Sequence, residues 1–302
     1  MMCRQTWEYN SMADPLIFLD FFAGIGGFRT GLELAGMRYA GHCEIDKYAD
    51  RSYRAIFDTT GEFYAPDIRA IEPDDLPAAD CYAFGFPCQA FSTSGRRKSF
   101  EDARGTLIFE ILRLASIRKP KILLGENVEG LLTICGGRVF GRILDAMVEL
   151  GYFCEWQLIN SDAYLPQSRP RVYLVGHRGG PPACTVFPLL PQDAEPRLVL
   201  AGLVNEQSKH KQSNRIYSPN GISPCLDTSA DRPKILMPDG RIRRLIPLEK
   251  WRLQGFSDEA YHKAAAVCSE AQLAKQAGNS VSVPVVAAIG RRIVEAYATP
   301  FK

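Results

Sequence analysis

The sequence lacks the cysteine and histidine spacings that mark disulfide frameworks and structural zinc sites. Its nine cysteines are scattered, no two of them form a Cys-x-x-Cys pair, and the chain has only four histidines. A chain of 302 residues can bury a core without disulfides, and zinc sites need closely spaced ligands. We therefore expect no metal site, and we expect most cysteines to be small buried apolar residues.

Long apolar runs are also missing. No run approaches the roughly 20 residues that span a bilayer, and the first residues carry no signal-peptide hydrophobic core. These absences favour a cytoplasmic protein with no membrane partner. The length favours one large domain with a smaller one beside it, and no internal repeat is present.

The charged residues are unevenly distributed. Between Gln167 and Gln254 there are 14 Lys and Arg against 7 Asp and Glu, whereas the rest of the chain has 22 basic and 27 acidic residues. A basic segment on an acidic body is typical of polyanion binding, although an uneven surface without a partner would look the same.

The first half of the chain alternates short apolar runs with amphipathic stretches. The apolar runs predict strands at 16–22, 39–46, 80–86, 121–127, 152–159 and 171–177. The amphipathic stretches predict helices at 28–36, 47–57, 105–118 and 137–151, and again near the end at 247–256 and 281–297. This alternation predicts an α/β sheet with helices on both faces, which binds ligands beyond the carboxyl ends of its strands.

A glycine-rich stretch, DFFAGIGGF (20–28), follows the first predicted strand. Gly24, Gly26 and Gly27 allow a sharp turn and a close approach of the backbone to a ligand. Glu44 ends the second predicted strand, where a carboxylate can accept hydrogen bonds from ribose hydroxyls. Tight turns alone account for some such loops, and this one lacks the regular dinucleotide fingerprint.

A thiol, a carboxyl group and two guanidinium groups are expected at the same rim. Cys88 follows Pro87 at the end of the strand predicted at 80–86, and Glu126 lies near the end of the one at 121–127. Arg169 and Arg171 lie where the strand at 171–177 begins. Each residue alone is more often structural: a loop cysteine, a capping carboxylate or a solvated basic edge. Together they indicate a nucleophile, an acid and a cation at one ligand pocket.

The ordered series of motifs resembles the cytosine-5 DNA methyltransferase family of prokaryotic or phage type. The motifs are DFFAGIGGF, EIDKYA, Asp67-Ile68, GFPCQAFSTSG, ENV, PQSRPRVYLVG, RRLIPLEKWRLQGF and GNSVSVPVV. They cover the chain from Leu16 to Tyr297. The resemblance implies a doubly wound, mostly parallel, Rossmann-like methyltransferase sheet with a small, irregular, β-rich target-recognition domain. It also implies DNA methylation with S-adenosylmethionine as cofactor and no metal.

The resemblance assigns roles to individual residues. Cys88 would attack carbon 6 of a cytosine flipped out of duplex DNA, Glu126 would hydrogen-bond its N3, and Arg171 would bind its O2. Arg169 would support the acid or a phosphate, and Asn127 would hold the amine side or fix the loop. The positions matched to the cofactor pocket are Phe22, Gly24, Gly26, Gly27, Glu44, Ile45, Asp67, Ile68, Gly85, Pro87, Leu107, Asn279 and Ser280. Those matched to DNA contacts are Gln89, Ser92, Ser94, Arg96, Arg97, Arg104 and Thr228.

The resemblance also predicts the domain boundaries and shows two departures. The catalytic domain is expected at 1–178 plus 275–302, and target recognition at 179–274. Cys225-Leu226 stands where the family usually has Thr-Leu, so Thr228 substitutes or a contact to the target backbone is weaker. Ile45 replaces a bulkier residue that stacks on adenine, which bears on cofactor affinity.

Three alternative functions are compatible with parts of the pattern. A tRNA cytosine-5 methyltransferase would have the same active site. A catalytically silent DNA-binding partner would not need Cys88, Glu126 and Arg171. A nicotinamide oxidoreductase would leave the Pro-Cys-Gln motif unexplained. For a DNA methyltransferase we expect a monomer acting on double-stranded DNA, with a separately acting restriction endonuclease as one candidate partner.

Overall fold

The computed structural model describes residues 14–86, 107–189, 197–205 and 214–298. A seven-stranded sheet forms the centre, with strand order β3-β2-β1-β4-β5-β7-β6. Its strands are β1 (Ile17–Phe21), β2 (Arg38–Cys43), β3 (Phe63–Ala65), β4 (Cys81–Gly85), β5 (Ile122–Val128), β6 (Tyr152–Asn160) and β7 (Pro170–Arg178). The first five strands pair in parallel, whereas β7 runs antiparallel to both of its neighbours. The expected mostly parallel sheet is confirmed.

Eight α-helices lie in the described ranges. They are α1 (Gly27–Leu34), α2 (Lys47–Ile56), α3 (Leu107–Arg118), α4 (Arg138–Glu149), α5 (Pro247–Arg252), α6 (Asp258–Ala265), α7 (Glu270–Asn279) and α8 (Val283–Ala298). A second sheet, with order β11-β10-β9-β8, contains β8 (Leu200–Leu203), β9 (Arg215–Tyr217), β10 (Lys234–Leu236) and β11 (Ile242–Arg244). These strands have only three or four residues each, which fits the small, irregular, β-rich domain that the resemblance implies.

The central sheet is covered on both faces because successive residues of a strand point to opposite sides. On one face, Leu19, Phe84 and Leu123 pack with the buried side chains of α3 and α4. On the other, Phe18 and Ala83 pack with those of α1 and α8. The strands therefore read as continuous apolar runs, and the doubly wound arrangement predicted from the sequence is confirmed.

The apolar side chains of α5 to α7 pack against the loop after β1, and α5 also contacts the small sheet through polar side chains such as Glu249. Trp251, Phe256 and Leu273 share one apolar cluster with Ile25 and, at its margin, Ile56. Most of this segment falls within 179–274, the range expected for target recognition. The domain boundaries stay a prediction, but the contacts place α5 to α7 beside the glycine loop.

None of the helices in the described ranges combines the length and the apolar character needed to cross a bilayer.

Candidate active site

The turn between β1 and α1 uses left-handed backbone conformations that favour glycine. Phe22, Gly24 and Gly26 have φ values of 57°, 58° and 81°. A Cβ built on Gly24 would meet nothing within 4 Å, so open space lies above that residue. A non-glycine residue at positive φ, such as Phe22, is uncommon and typical of functional sites. The predicted glycine turn is therefore present at the carboxyl end of β1.

Gly27 needs to be glycine for a different reason, which is close packing. A Cβ there would lie 2.7 Å from Val281 Cγ2 and 2.8 Å from Ser280 Oγ. The GNSV segment therefore packs directly on the start of α1, although more than 250 positions separate the two in sequence. Ser280 is buried and Asn279 is exposed at the end of α7. The structure thus brings the last matched motif to the glycine loop.

Glu44 supports this turn from the end of β2. Its Oε2 accepts a hydrogen bond from the Gly24 N–H at 2.7 Å, and its Oε1 accepts one from the Asp46 N–H at 2.6 Å. Burial raises the pKa of Glu44, although these backbone donors partly offset the effect. Each carboxylate oxygen has a second lone pair, so the group can still accept from a ligand hydroxyl.

The remaining cofactor-matched residues lie at the same end of the sheet or its edge. Ile45, next to Glu44, has 66% of its surface exposed, which leaves an apolar face for a ring to cover. Asp67 accepts from the Arg69 backbone N–H and forms an ion pair with its guanidinium at 2.6 Å. Ile68 is buried in the core, Leu107 packs at its margin, and Gly85 ends β4. A free carboxylate lone pair, an exposed apolar side chain and open space at Gly24 fit a nucleoside such as that of S-adenosylmethionine.

Glu126 and Arg171 meet at the rim, on the antiparallel pair β5 and β7. Arg171 Nε lies 3.0 Å from Glu126 Oε1, and both side chains are largely buried. The N–H does not point at this oxygen, which has no well-aligned hydrogen-bond partner among the described residues. Burial alone would lower the pKa of Arg171, but Glu126 and Cys225 outweigh burial and raise it. A partly satisfied carboxyl group beside a cation can bind a polar heterocycle.

Asn127 fastens the end of β4 to β5. Its Nδ2 donates to the Phe86 carbonyl oxygen at 2.9 Å, and its Oδ1 accepts from the Val128 N–H at 2.8 Å. Only 3% of Asn127 is exposed. Of the two roles considered for Asn127, this contact favours fixing the loop, because Phe86 is two residues before Cys88.

Arg169 is fully buried and holds three separate segments together. Its Nη1 donates to the Leu226 carbonyl at 3.2 Å, and its Nη2 donates to the carbonyls of Gly278 and Ser280 at 3.1 and 2.7 Å. Burial lowers the pKa of Arg169. Both terminal nitrogens of Arg169 thus donate to backbone carbonyls, and its buried Nε has no partner among the described residues, whereas Arg171 faces the acid.

Gln167 is a neighbouring residue that the sequence reasoning missed. Its Oε1 accepts from the Leu226 N–H at 3.0 Å, and its Nε2 donates to the Leu253 carbonyl at 2.7 Å. Gln167 and Arg169 therefore hold both sides of Leu226. The signal was available, because Gln167 and Arg169 alternate with Arg171 in the QSRPR stretch and so share one face of an extended segment.

A buried acid at the end of β1 was also missed. Asp20 is fully buried, and neither of its carboxyl oxygens has a hydrogen-bond partner within the described part of the chain. Burial raises its pKa well above the usual value. Asp20 is the first residue of DFFAGIGGF, so its position next to the glycine turn could have marked it as a site residue from the sequence.

Several of the predicted site residues lie outside the described residues. They are Pro87, Cys88, Gln89, Ser92, Ser94, Arg96, Arg97 and Arg104. Thr228 is described, is exposed, and its backbone packs against Gly278. Cys225 is also exposed, and its Sγ lies 3.6 Å from both Arg169 Nη1 and Arg171 Nη2. In the described ranges, no cluster of side chains could hold a metal ion.

The fold is similar to that of solved methyltransferase structures. The chain is similar to the S. pombe Dnmt2 methyltransferase, with a TM-score of 0.73 and 20% identity over 93% of this chain and 98% of the other. It is also similar to the Entamoeba histolytica methyltransferase EhMeth, with a TM-score of 0.72 and 20% identity over 94% and 99% of the two chains.

Sequence comparison then identifies the family. The sequence model of the C-5 cytosine-specific DNA methylases matches residues 16–220 and 203–295, and the chain belongs to this family. Type II methyltransferase M.NgoBI of Neisseria gonorrhoeae is 35% identical over 89% of this chain and 90% of the relative. Type II methyltransferase M.HhaI of Haemophilus parahaemolyticus is 33% identical over 92% and 94%. The chain is therefore a C-5 cytosine methyltransferase of an S-adenosylmethionine-dependent family.

Proposed function

We propose that this chain methylates carbon 5 of a cytosine flipped out of a short, specific sequence in double-stranded DNA. The observation that carries the proposal is the Glu126–Arg171 pair at 3.0 Å, at the rim where β4 leads towards Cys88. The curated relatives named above are Type II methyltransferases, which favours a modification enzyme paired with a separately acting endonuclease.

The cofactor site we propose is the pocket around the glycine turn. Glu44 would accept hydrogen bonds from the ribose hydroxyls, Ile45 and Phe22 would contact the adenine ring, and Gly24 would let the backbone approach. Asp67, Ile68, Leu107, Asn279 and Ser280 would complete the surroundings. When bound, S-adenosylmethionine would supply an electrophilic methyl group.

The reaction requires that carbon 5 of cytosine become nucleophilic. In our proposal the Cys88 thiolate adds to carbon 6, forming a C–S bond, and the electron pair of the 5,6 double bond moves towards carbon 5 and N3. Glu126 would hydrogen-bond N3, and Arg171 would bind O2, so both stabilise the charge that develops on the ring. After methyl transfer, water or hydroxide would remove the carbon-5 proton and the thiolate would leave, which restores the aromatic ring.

The supporting residues would keep this geometry fixed. Asn127 would hold the segment that leads to Cys88 through the Phe86 carbonyl, and Arg169 would keep the Cys225-Leu226 segment against Ser280. A base inside a stacked duplex cannot reach this pocket, so the cytosine must be flipped. The residues 89–104 matched to DNA contacts would lie around the flipped nucleotide.

The test is methyl transfer from labelled S-adenosylmethionine to duplex DNA, with bulk tRNA as the competing substrate. We expect label in DNA, and label in tRNA alone would contradict the proposal. A duplex with 5-fluorocytosine at the target should form a denaturation-resistant adduct, because fluorine cannot leave as a proton does. Cys88→Ala should abolish the adduct and Cys184→Ala, beyond the far end of β7, should retain it. Bisulfite sequencing of DNA from a host that expresses the protein would identify the recognised sequence.

A further inference from the structure

A cavity of about 190 Å³ lies beside the candidate active site, between β9 and the segments 224–227 and 232–233. Arg215 and Tyr217 of β9 line one side, and Cys225, Asp227 and Arg232 line the other. Neither the family resemblance nor the proposed function assigns a role to Arg215 or Arg232. The cavity is concave and partly open, so a projecting group such as a phosphate can enter it.

The side chains around the cavity leave a positive charge available. Arg215 is exposed, and no ion pair or hydrogen bond joins its guanidinium group to another residue of the described ranges. Arg232 is paired with Asp227 at 2.8 Å, and both side chains are 40% exposed. An exposed ion pair of this kind contributes little, so Arg232 can turn to another anion at small cost.

Cys225 connects this cavity to the site of the reaction. Its Sγ lies 3.6 Å from Arg171 Nη2, and Arg171 Nε lies 3.0 Å from Glu126 Oε1. In the proposed function Arg171 binds the cytosine O2, which is adjacent to the N1 that carries the sugar, so the sugar and its phosphates would lie on the side of the pair where Cys225 contacts Arg171. A thiol is a weak hydrogen-bond donor, so Cys225 cannot hold a phosphate on its own. The guanidinium groups of Arg215 and Arg232, which line the same cavity, can do so.

We propose that this cavity binds a phosphate group of the target strand next to the flipped cytosine, held by Arg215 and Arg232. The proposal rests on the proposed function, because it assumes a flipped cytosine in DNA. It assigns to Arg215 and Arg232 a contact that holds the strand and reads no base. Asp227 opposes this contact, because its carboxylate repels a phosphate and competes for Arg232.

The central experiment compares Arg215→Gln with Arg38→Gln in DNA-binding titrations over a range of salt concentrations. Arg38 is exposed at the amino end of β2, whereas the site lies beyond the carboxyl ends of the parallel strands. Loss of one charge-assisted contact should weaken binding by about tenfold in Arg215→Gln. The slope of log affinity against log salt should become less negative by about 0.9, as expected for one phosphate. Arg38→Gln should bind like the parent protein.

Two further measurements separate a phosphate contact from base reading. If Arg215 holds a phosphate, Arg215→Gln weakens binding equally for the target duplex and for duplexes with one base pair changed. A loss confined to one base-pair position would overturn the proposal and make Arg215 a base-reading residue. Asp227→Asn, which can still accept from the Ser229 N–H, should tighten binding about twofold to threefold. Unchanged or weaker binding in Asp227→Asn would contradict it.

The outcomes also separate this proposal from the proposed function. If the parent protein transfers no methyl group to DNA, the proposed function fails. If the parent methylates DNA but Arg215→Gln keeps its affinity and salt slope, only the phosphate cavity is wrong. Because Arg215 is exposed, thermal unfolding of the variant should match that of the parent, which confirms that the comparison concerns binding.

Discussion

The seven-stranded sheet and the four-stranded sheet are held in place by different forces. The large sheet is packed on both faces by helices, and strands such as β4 are almost entirely buried. The small sheet has one apolar cluster of four buried residues, Tyr217, Leu226, Ile235 and Leu245. Such a small core cannot by itself stabilise a sheet of short strands.

The small sheet is instead fastened by polar side chains that reach into it from the large unit and from α5. Gln167 and Arg169 hold Leu226, and Lys250 Nζ donates to the Ser229 carbonyl at 2.7 Å. Apolar contacts are non-directional, whereas buried hydrogen bonds fix orientation as well as proximity. The difference suggests that the large sheet supplies stability and that the polar contacts set the position of the recognition segment relative to Arg171.

Among the variants that test this difference between the two sheets, Arg169→Met should have the largest effect on stability. The substitution removes the donors for the carbonyls of Leu226, Gly278 and Ser280, and we expect a loss of about 3 kcal/mol from buried acceptors left unpaired. Hydrogen exchange should show the loss of protection concentrated in residues 226–236, with β4 and β5 little changed.

Arg169→Lys serves as the matched variant, because lysine keeps the charge and can donate to part of the same set of carbonyls. It should recover some of the protection. Equal loss of protection in both sheets would show that Arg169 supports the whole fold, and the distinction between the two regions would then be wrong.

A smaller effect is expected where the two regions touch at Gly278. A Cβ there would overlap the Asp227 carbonyl, which is backbone and cannot move aside cheaply. Gly278→Ala should therefore lower the free energy of unfolding by about 1–3 kcal/mol. Gly141, in the interior of α4, has open space around it, so Gly141→Ala should stabilise by about 0.5–1 kcal/mol. Urea unfolding of both variants measures the contrast, and the same sign for both would refute it.

The smallest effect concerns pH and belongs to the large unit alone. Burial lowers the pKa of His42, which contacts Tyr39 OH through Nδ1 and Asp50 through Nε2. Because the pKa of His42 in the folded state lies below the ordinary value of 6.5, the unfolded state binds more protons than the folded state between these two pKa values. This contribution to stability is present above pH 6.5 and is lost as the pH falls towards the folded pKa.

His42→Gln removes this titration, so the stability difference between the parent and the variant should shrink from about pH 7.5 to about pH 5.5. Burial also lowers the pKa of His177, so both the parent protein and the His42→Gln variant keep some acid sensitivity. A difference that stays constant with pH would show that His42 does not contribute. Urea titrations at both pH values provide the measurement.

Much of the large unit could be predicted from the sequence because its signals are local. The apolar run at 80–86 became β4, and the amphipathic stretch at 137–151 became α4. The turn around Gly24 was readable because only glycine adopts positive φ readily. The motifs of the site could also be recognised from local signals, since each is a short segment with its own residue types and spacing.

The packing of α5 to α7 beside Ile25 was not predicted, and neither was the anchoring of Leu226 by Gln167. Both features depend on contacts between segments that are distant in sequence, and neither periodicity nor local propensity predicts such contacts. Asp20 illustrates the same limit, because its position before the glycine turn was plain but its complete burial was not.

The sequence by itself determined most strands and helices of the large sheet's first half, the glycine turn and the residue types available for the chemistry. Only the tertiary structure decided which groups each arginine contacts. Arg169 and Arg171 are two positions apart on one extended segment, yet one is committed to backbone carbonyls and the other faces Glu126. The physical reason is that the groups that engage Arg169 lie 57 to 111 positions away and reach it only when the chain is packed.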